Sequence, residues 1–360
     1  MANPIKSIQR TAADYKLMDK KDKKRFWTDG ILNNALYIIM AIFIIYTAIA
    51  NKNFLKIGSI TNIISQVAAY LPIALGIGGC IVLTGTDLSA GRVVGLTAAV
   101  SVALQQVVGR RILTFLPEYP GWVGILLGLV AVIIVGGIIG LINGFFVAKY
   151  KLHPFIVTLA TQLITYGFIT MFFMMNGNNG QPLSGLTDTY NNFITGKMIS
   201  ITGNASLPWY VLYAVVLAVM MWFIWNKTTF GKNMFAVGSN AEAANVSGVN
   251  VFKTTVMVHT LAGIMYGLTG FIEGSRIGSI TTSTGLNYEC DAIAACVIGG
   301  VSFVGGTGKI SGIILGVFIL RIIFVALTML GIDPSMQYII KGLIILVACS
   351  LDMRKYLVRK

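Results

Sequence analysis

Eight ionisable residues stand in or against strongly apolar stretches of this 360-residue chain: Asp87, Arg92, Glu273, Arg276, Glu289, Asp291, Arg321 and Lys341. At the centre of a membrane helix an Asp, Lys or Arg costs about 2.5–3.5 kcal/mol on the insertion scale, so such groups pair, cap a helix end, snorkel or face water. Two kinds of chemistry are open to them. They can neutralise one another and the helix dipoles, or they can line a polar path, where carboxylates such as Asp87, Glu289 and Asp291 could also couple to protons or sodium. Asp87 follows Gly85-Thr86 and opens LSAGRVVGLTAAV, with Ser89 two residues on, so its carboxylate can cap that helix and meet its positive end. A direct place on a pathway is the alternative. Glu289 and Asp291 open AIAACVIGG in the same manner, and Arg276 is near enough along the chain to neutralise one of them. Arg321 and Lys341 read most simply as snorkelling or helix-pairing residues.

Other chemistry is absent from the sequence. GGTGKIS at 305–311 resembles a phosphate-binding loop, but that motif needs Ser or Thr directly after Gly-Lys, and Ile310 stands there. Gly231-Lys232 is followed by Asn233 and fails in the same way. There is no dinucleotide fingerprint, His-Glu-x-x-His or nucleophile elbow. The two histidines, His153 and His259, lie in different segments, and Cys80, Cys290, Cys296 and Cys349 form no C-x-x-C and read as small core residues. The expectation is a non-enzymatic chain with no nucleotide, cofactor or metal site of its own.

These groups need elements to hold them, and composition says which. The chain is 56% hydrophobic and 11% charged, where a soluble domain carries roughly a quarter charged residues. That implies an all-α integral membrane protein. A net charge of +14 could suit nucleic acid, but eight of the 27 Lys and Arg fall in the first 25 residues and four in the last seven. Basic ends on an apolar body are the positive-inside signature rather than a nucleic-acid surface, and both termini read as cytoplasmic. At about 20 residues per crossing, spans fall near 32–50, 58–83, 88–108, 121–148, 154–175, 208–226, 254–273, 289–303, 310–330 and 334–351, about ten transmembrane helices. The first apolar run is too long for a cleavable signal, so 1–30 is expected to be a basic cytoplasmic segment, exposed or on the membrane surface, with 31–352 the transmembrane domain and 353–360 a basic cytoplasmic tail.

Stretches 84–91 and 279–309 are rich in Gly, Ser and Thr at membrane depth. Unpaired backbone groups there cost several kcal/mol, so these broken or re-entrant parts must be buried in protein or line a watery cavity. Lys149, Lys151, Lys227, Lys232, Lys253 and Lys309 fall on the cytoplasmic side, 176–207 falls outside, and Arg110-Arg111 run against the rule. Gly136, Gly140 and Gly144, and Gly308, Gly312 and Gly316, form small-residue stripes for close helix packing. Each stripe accompanies a Val-Gly-Gly and precedes a Pro-opened segment (Pro154, Pro334), a hint of an internal repeat. Between spans, KTTFGKNMFAVGSNAEAANVSGVNVFK at 227–253 contains two Phe-Gly-type turns and a short Ala-rich helix opened by Ser239 or Asn240. A mere tether needs none of this, so the segment reads as an adaptor for a cytoplasmic partner.

Three segments carry a family resemblance: TGTDLSAGRVVGL (84–96), NKTTFGKNMFAVGSNAEAANVSGVNV (226–251) and EGSRIGSITTSTGLNYECDAIAACVIGGVSFVGGTGKISG (273–312). In order and spacing, over about residues 30–355, the chain resembles the membrane permease subunits of bacterial ABC importers for monosaccharides. G-T-D-L-S-A-G-R, where ribose-type members usually carry G-I-D-L-S-V-G, brings it nearest to galactose/methyl-galactoside permeases. The resemblance implies inward transport of a hexose across the bacterial inner membrane by a homodimer of permeases. It also implies a cytoplasmic ATPase with two nucleotide-binding halves that holds ATP and Mg, and an extracytoplasmic sugar-binding protein. Residues 240–247 would be the coupling helix, with Phe230, Phe235, Asn240, Glu242 and Ala243 touching the ATPase; Asp87, Ser89, Arg276, Glu289 and Asp291 are the pathway or helix-break candidates. The 14 Tyr and 5 Trp lie mostly at segment ends, as in an interfacial belt, and mark no high-affinity sugar pocket in the membrane part. An ion-coupled secondary sugar transporter, and a channel or scaffold, are the other readings.

Overall fold

The computed structural model describes Asp19, residues 35–202 and residues 205–357. The rest of segment 1–30 and residues 358–360 of the tail lie outside the described residues. Helix α1 (Ala35–Ala50) leads through a turn at 51–56 into α2 (Ile57–Val82). Then come α3 (Ala90–Gln105), α4 (Gly121–Tyr150) and α5 (Pro154–Phe173). Pro154 sits where proline is best tolerated, in a first turn whose N–H groups lack helical partners. The 176–207 loop holds α6 (Asp188–Thr195) and strand β1 (Lys197–Thr202), which pairs antiparallel with β2 (Ala205–Pro208). This hairpin is a small departure from the all-α expectation. Helices α7 (Trp209–Lys227), α8 (Thr229–Ser239), α9 (Ala241–Val246) and α10 (Val251–Ile277) follow. The chain closes with α11 (Tyr288–Ile298), α12 (Ile310–Met329) and α13 (Pro334–Leu357). Ahead of Pro334, the Asp333 carboxylate accepts the Ser335 N–H at 2.7 Å, which holds it below its usual pKa.

Among the described residues α2, α4, α5, α7, α10 and α12 are long and apolar enough to cross a membrane. The span expected at 289–303 is not a helical crossing. Helix α11 has 11 residues and reaches only about 16 Å, roughly half of a hydrocarbon core. Residues 278–287 ahead of it are non-helical: Ile280 bridges Leu183 beside the α6 end of the body, and Gly285 packs on Gly91 and Gly95 of α3 farther in. The 83–89 break is its counterpart, leaving the far end of α2 and running along the first turn of α5, where Thr158 Oγ1 accepts the Leu88 N–H at 3.1 Å. Both breaks are packed in protein, as their polar backbone requires. The Val-Gly-Gly pairs are not equivalent, since 135–137 is helical and 304–306 is a turn, so they support no repeat.

The glycine stripe on α4 works as its spacing predicts. A Cβ on Gly136 would strike the Gly263 carbonyl, one on Gly140 the His259 carbonyl, and one on Gly144 would lie 2.8 Å from Val256 Cα, all on α10. Gly312 and Gly316 of α12 meet Gly299 and the Ala295 carbonyl of the α11 end in the same way, whereas Gly308 precedes α12. In lipid such backbone approach supplies the packing that hydrophobic exclusion supplies in water. Arg111, the exception to the charge rule, donates to the Gln106 and Pro117 carbonyls at 3.0 and 2.8 Å and lies over the Tyr119 ring. Gly140→Leu should destabilise the protein by about 3 kcal/mol, the upper range for overpacking. Gly167→Leu, with open space around its Cα, should be near neutral. Unfolding in detergent measures both, and equal effects would contradict the packing described.

Candidate functional site

The adaptor is two helices rather than turns and one helix. Phe230-Gly231 lies inside α8, whose N-cap Thr228 accepts the Gly231 N–H at 3.2 Å. Asn240, not Ser239, opens α9 and takes the Ala243 N–H on its Oδ1 at 2.9 Å. Phe230 and Phe235 lean on the membrane core, and Phe235 meets Trp225 of α7 edge-on with ring centroids 5.6 Å apart. They hold the adaptor to the body. The outward surface is Glu242, Ala243 and Val246 on α9, with Val246 90% exposed. Val246 carries no sequence signal of its own, since only the fold leaves this apolar side chain bare.

Behind the adaptor the contact is backbone on backbone. A Cβ on Gly238 of α8 would overlap the Val82 carbonyl at the end of α2 and lie 2.9 Å from Gly306 N. That Gly306 N–H donates to the same Val82 carbonyl at 2.9 Å. Gly305 and Gly306 both have positive φ and press against Thr84 and Ser239. Thr84, β-branched with φ of 62°, is a strained residue at this junction. At Gly238 the adaptor thus meets α2 and the 299–309 turn backbone on backbone, with the Thr84 and Ser239 side chains packed beside the contact.

Asp87 and Ser89 are joined in a buried network. Asp87 Oδ1 accepts the Ser89 N–H at 2.9 Å and the Ser89 hydroxyl at 2.6 Å, and Tyr266 of α10 donates to Oδ2 at 3.3 Å. Ser89 Oγ accepts Asn143 Nδ2 of α4 at 3.0 Å, and Asn143 Oδ1 accepts the Thr161 hydroxyl of α5 at 2.6 Å. Asp87 is 1% exposed. It stands two residues before the N-cap Ser89 and, at this helix end, bonds only that residue, so it makes no cap hydrogen bond to the first turn of α3; instead the network ties α4, α5 and α10 to the broken segment.

Arg276 does not neutralise Glu289 or Asp291. It pairs along its own helix with Glu273, Nε to Oε1 and Nη2 to Oε2 both at 2.7 Å, because residues three apart share a helix face. Glu289 instead packs against Gly91 of α3. Asp291, two residues on and turned away from it, meets Arg321 of α12 at 2.5 Å and Lys341 of α13 at 2.6 Å. The helix-pairing alternative holds for both cations. Tyr288 donates to Glu273 at 3.2 Å and packs on Tyr70 of α2 at 4.6 Å, and the Arg321 guanidinium lies 3.6 Å over the Tyr70 ring. A polar strip therefore runs from Arg276 to Lys341 across five helices. Among the candidate residues the structure unites Asp87 with Ser89 and, through this strip, Arg276 with Asp291. Glu289 and the adaptor residues stand apart.

Long apolar helices, polar breaks sealed inside them and a surface adaptor at one end describe the membrane part of a transport machine. A family model described as "Branched-chain amino acid transport system / permease component" matches residues 59–349. The galactose/methyl galactoside import permease of Haemophilus influenzae is 42% identical over 92% of this chain and 97% of its own length. Its Escherichia coli K12 counterpart is 41% identical over 95% of this chain and 100% of its own length. The ribose import permease of Bacillus subtilis is 34% identical over 93% of this chain and 97% of its length. No solved structure matches the chain. The chain belongs to this family of transport-system permease components and is a multi-pass membrane protein.

Asp291→Asn leaves the buried Arg321 and the half-buried Lys341 without a counter-charge, and breaking a buried pair from one side costs about 3–5 kcal/mol. Lys341→Met leaves Arg321 and Asp291 matched. Transport by the Asn variant should fall at least tenfold below that of the Met variant in uptake assays. The reverse ranking would contradict this role for Asp291.

Proposed function

We propose that this chain is the permease of an ABC-type importer that moves galactose and methyl galactosides inward across the bacterial inner membrane by alternating access. Identity of 41–42% to galactose/methyl galactoside permeases, against 34% to a ribose permease, is the observation that carries the substrate class. The working unit is a homodimer of about ten-pass subunits, with both termini on the side of the adaptor. A cytoplasmic ATPase with two nucleotide-binding halves holds ATP and Mg, and an extracytoplasmic sugar-binding protein delivers the substrate. Helix α9 docks on the ATPase through Glu242, Ala243 and Val246, as a short helix fills a groove through a few side chains. Phe230, Phe235 and the Asn240 cap keep that helix in place.

The ion-coupled reading is narrowed to one of its three carboxylates, Glu289, which packs against Gly91 and makes no ion pair among the described residues. Asp87 accepts three hydrogen bonds and Asp291 makes two ion pairs, so neither offers oxygens for a coupling ion. In proteoliposomes, uptake of methyl galactoside should require the ATPase, ATP and the binding protein. Uptake driven by a proton or sodium gradient alone would overturn the proposal. Replacing Glu242 and Ala243 by Arg and Trp should abolish ATPase association and transport while the permease stays folded. Normal co-purification and uptake would exclude α9 as the coupling helix.

A further inference from the structure

A polar cavity of about 350 Å³ opens at the end of the molecule opposite the adaptor and reaches in to Asp291. It lies among α2, α12 and α13, and each helix turns one face to it. Asn62, Gln66 and Tyr70 recur every fourth residue on α2, Arg321, Phe324 and Thr328 line one side of α12, and Gln337, Tyr338 and Lys341 one side of α13. The mouth is near the 51–56 turn, where Asn51 Nδ2 donates to the Met329 carbonyl at 2.8 Å. From Asn62 to Tyr70 the descent along α2 is about 12 Å, and exposure falls along it, from open at Asn62 to half-buried at Gln66 and Tyr70.

The lining has the chemistry of a neutral polyol site. Asn62 and Gln66 make no hydrogen bond to protein among the described residues, so both amides present donors and acceptors to the cavity. Arg321 is 5% exposed, and its Nε has no hydrogen-bond partner among the described residues. Tyr338 and Phe324 add aromatic rings to the wall, which also hold the two cations: Lys341 lies 5.2 Å over Tyr338 and 5.0 Å over Phe324, and Arg321 lies 5.0 Å over Phe324. Both cations are drawn onto Asp291, which leaves the mouth to uncharged groups. The volume lies within the roughly 300–1,000 Å³ of small-molecule pockets. Nothing in the chain's composition announced this site, because its residues come from three segments far apart in sequence.

We infer that this cavity is a hexose-contact site within the permease itself, where the sugar's hydroxyls bond to Asn62, Gln66 and Arg321 before the pathway opens toward the adaptor side. The choice of a hexose rests on the function proposed above. Open geometry and few fixed partners make the contact weak, as a site that must release its cargo requires.

Saturation-transfer NMR on the permease–ATPase complex in nanodiscs, without the binding protein, tests it with methyl β-galactoside as probe. Transfer should saturate in the millimolar range, be competed by galactose, and fall at least threefold in Gln66→Leu and in Asn62→Leu. Asn62 is exposed, so its replacement leaves folding intact. Absence of transfer to the wild-type complex, undiminished transfer in both variants, or displacement by galacturonate but not galactose would each overturn the inference. Uptake by the same preparation with the binding protein separates this result from the functional one. Methyl galactoside uptake without transfer sinks the cavity and leaves the function standing. If uptake instead identifies another sugar, the substrate reading falls, and transfer measured with that sugar decides the cavity.

Discussion

Backbone pressed on backbone at Gly238, Val82 and Gly306 is the constraint on which the rest of the structure depends. A side chain at such a junction could change rotamer and absorb a displacement, whereas a carbonyl against a glycine cannot. The junction joins α8 to the two segments that carry the polar interior: α2, with Tyr70 near its middle, and the 299–309 turn, which links α11 to α12. On the proposed function, a push on α9 would reach Tyr70 along about 18 Å of α2 and reach Asp291 and Arg321 through the 299–309 turn. Pro72, within α2, removes one helical hydrogen bond between the adaptor half and the cavity half, and it is where a bend would be taken up.

The polar groups of the interior divide into two systems with different degrees of freedom. Around Asp87 every oxygen is committed within a buried network that links the break before α3 to α4, α5 and α10. It fixes non-helical backbone where lipid would not tolerate it. Around Asp291 the bonds are ionic and shared among α11, α12 and α13, so their geometry changes when these helices shift. One carboxylate between two cations can follow either partner without ever being left uncompensated. Thus the first system suits scaffolding and the second a moving part. The glycine stripe between α4 and α10 belongs with the scaffold, because its backbone contacts permit little sliding.

Much of this was legible in the sequence. Apolar run lengths located most of the helices, Pro154 and Pro334 marked helix starts, and Gly136, Gly140 and Gly144 announced a close packing that α10 fulfils. The broken stretches were recognisable because Gly, Ser and Thr at membrane depth demand burial. What could not be read was which charge meets which. Arg276 lies nearer in sequence to Glu289 and Asp291 than Arg321 or Lys341 do, but helix periodicity aims it at Glu273, while the packing angle of α12 and α13 decides the partners of Asp291. Helix α8 was missed because two glycines in eleven residues look like turns. In place, they are the residues that let the helix approach its neighbours. The cavity was hidden for a similar reason, since single polar residues at fourfold spacing look scattered until three helices converge.

The central claim is that force entering at α9 reaches the pathway through the Gly238 junction. Hexose uptake per ATP hydrolysed, measured for the reconstituted importer carrying Gly238→Ala, tests it most directly. The account predicts an assembled complex that still hydrolyses ATP while uptake per ATP falls at least tenfold. An assembled Gly238→Ala importer with an unchanged ratio would contradict it.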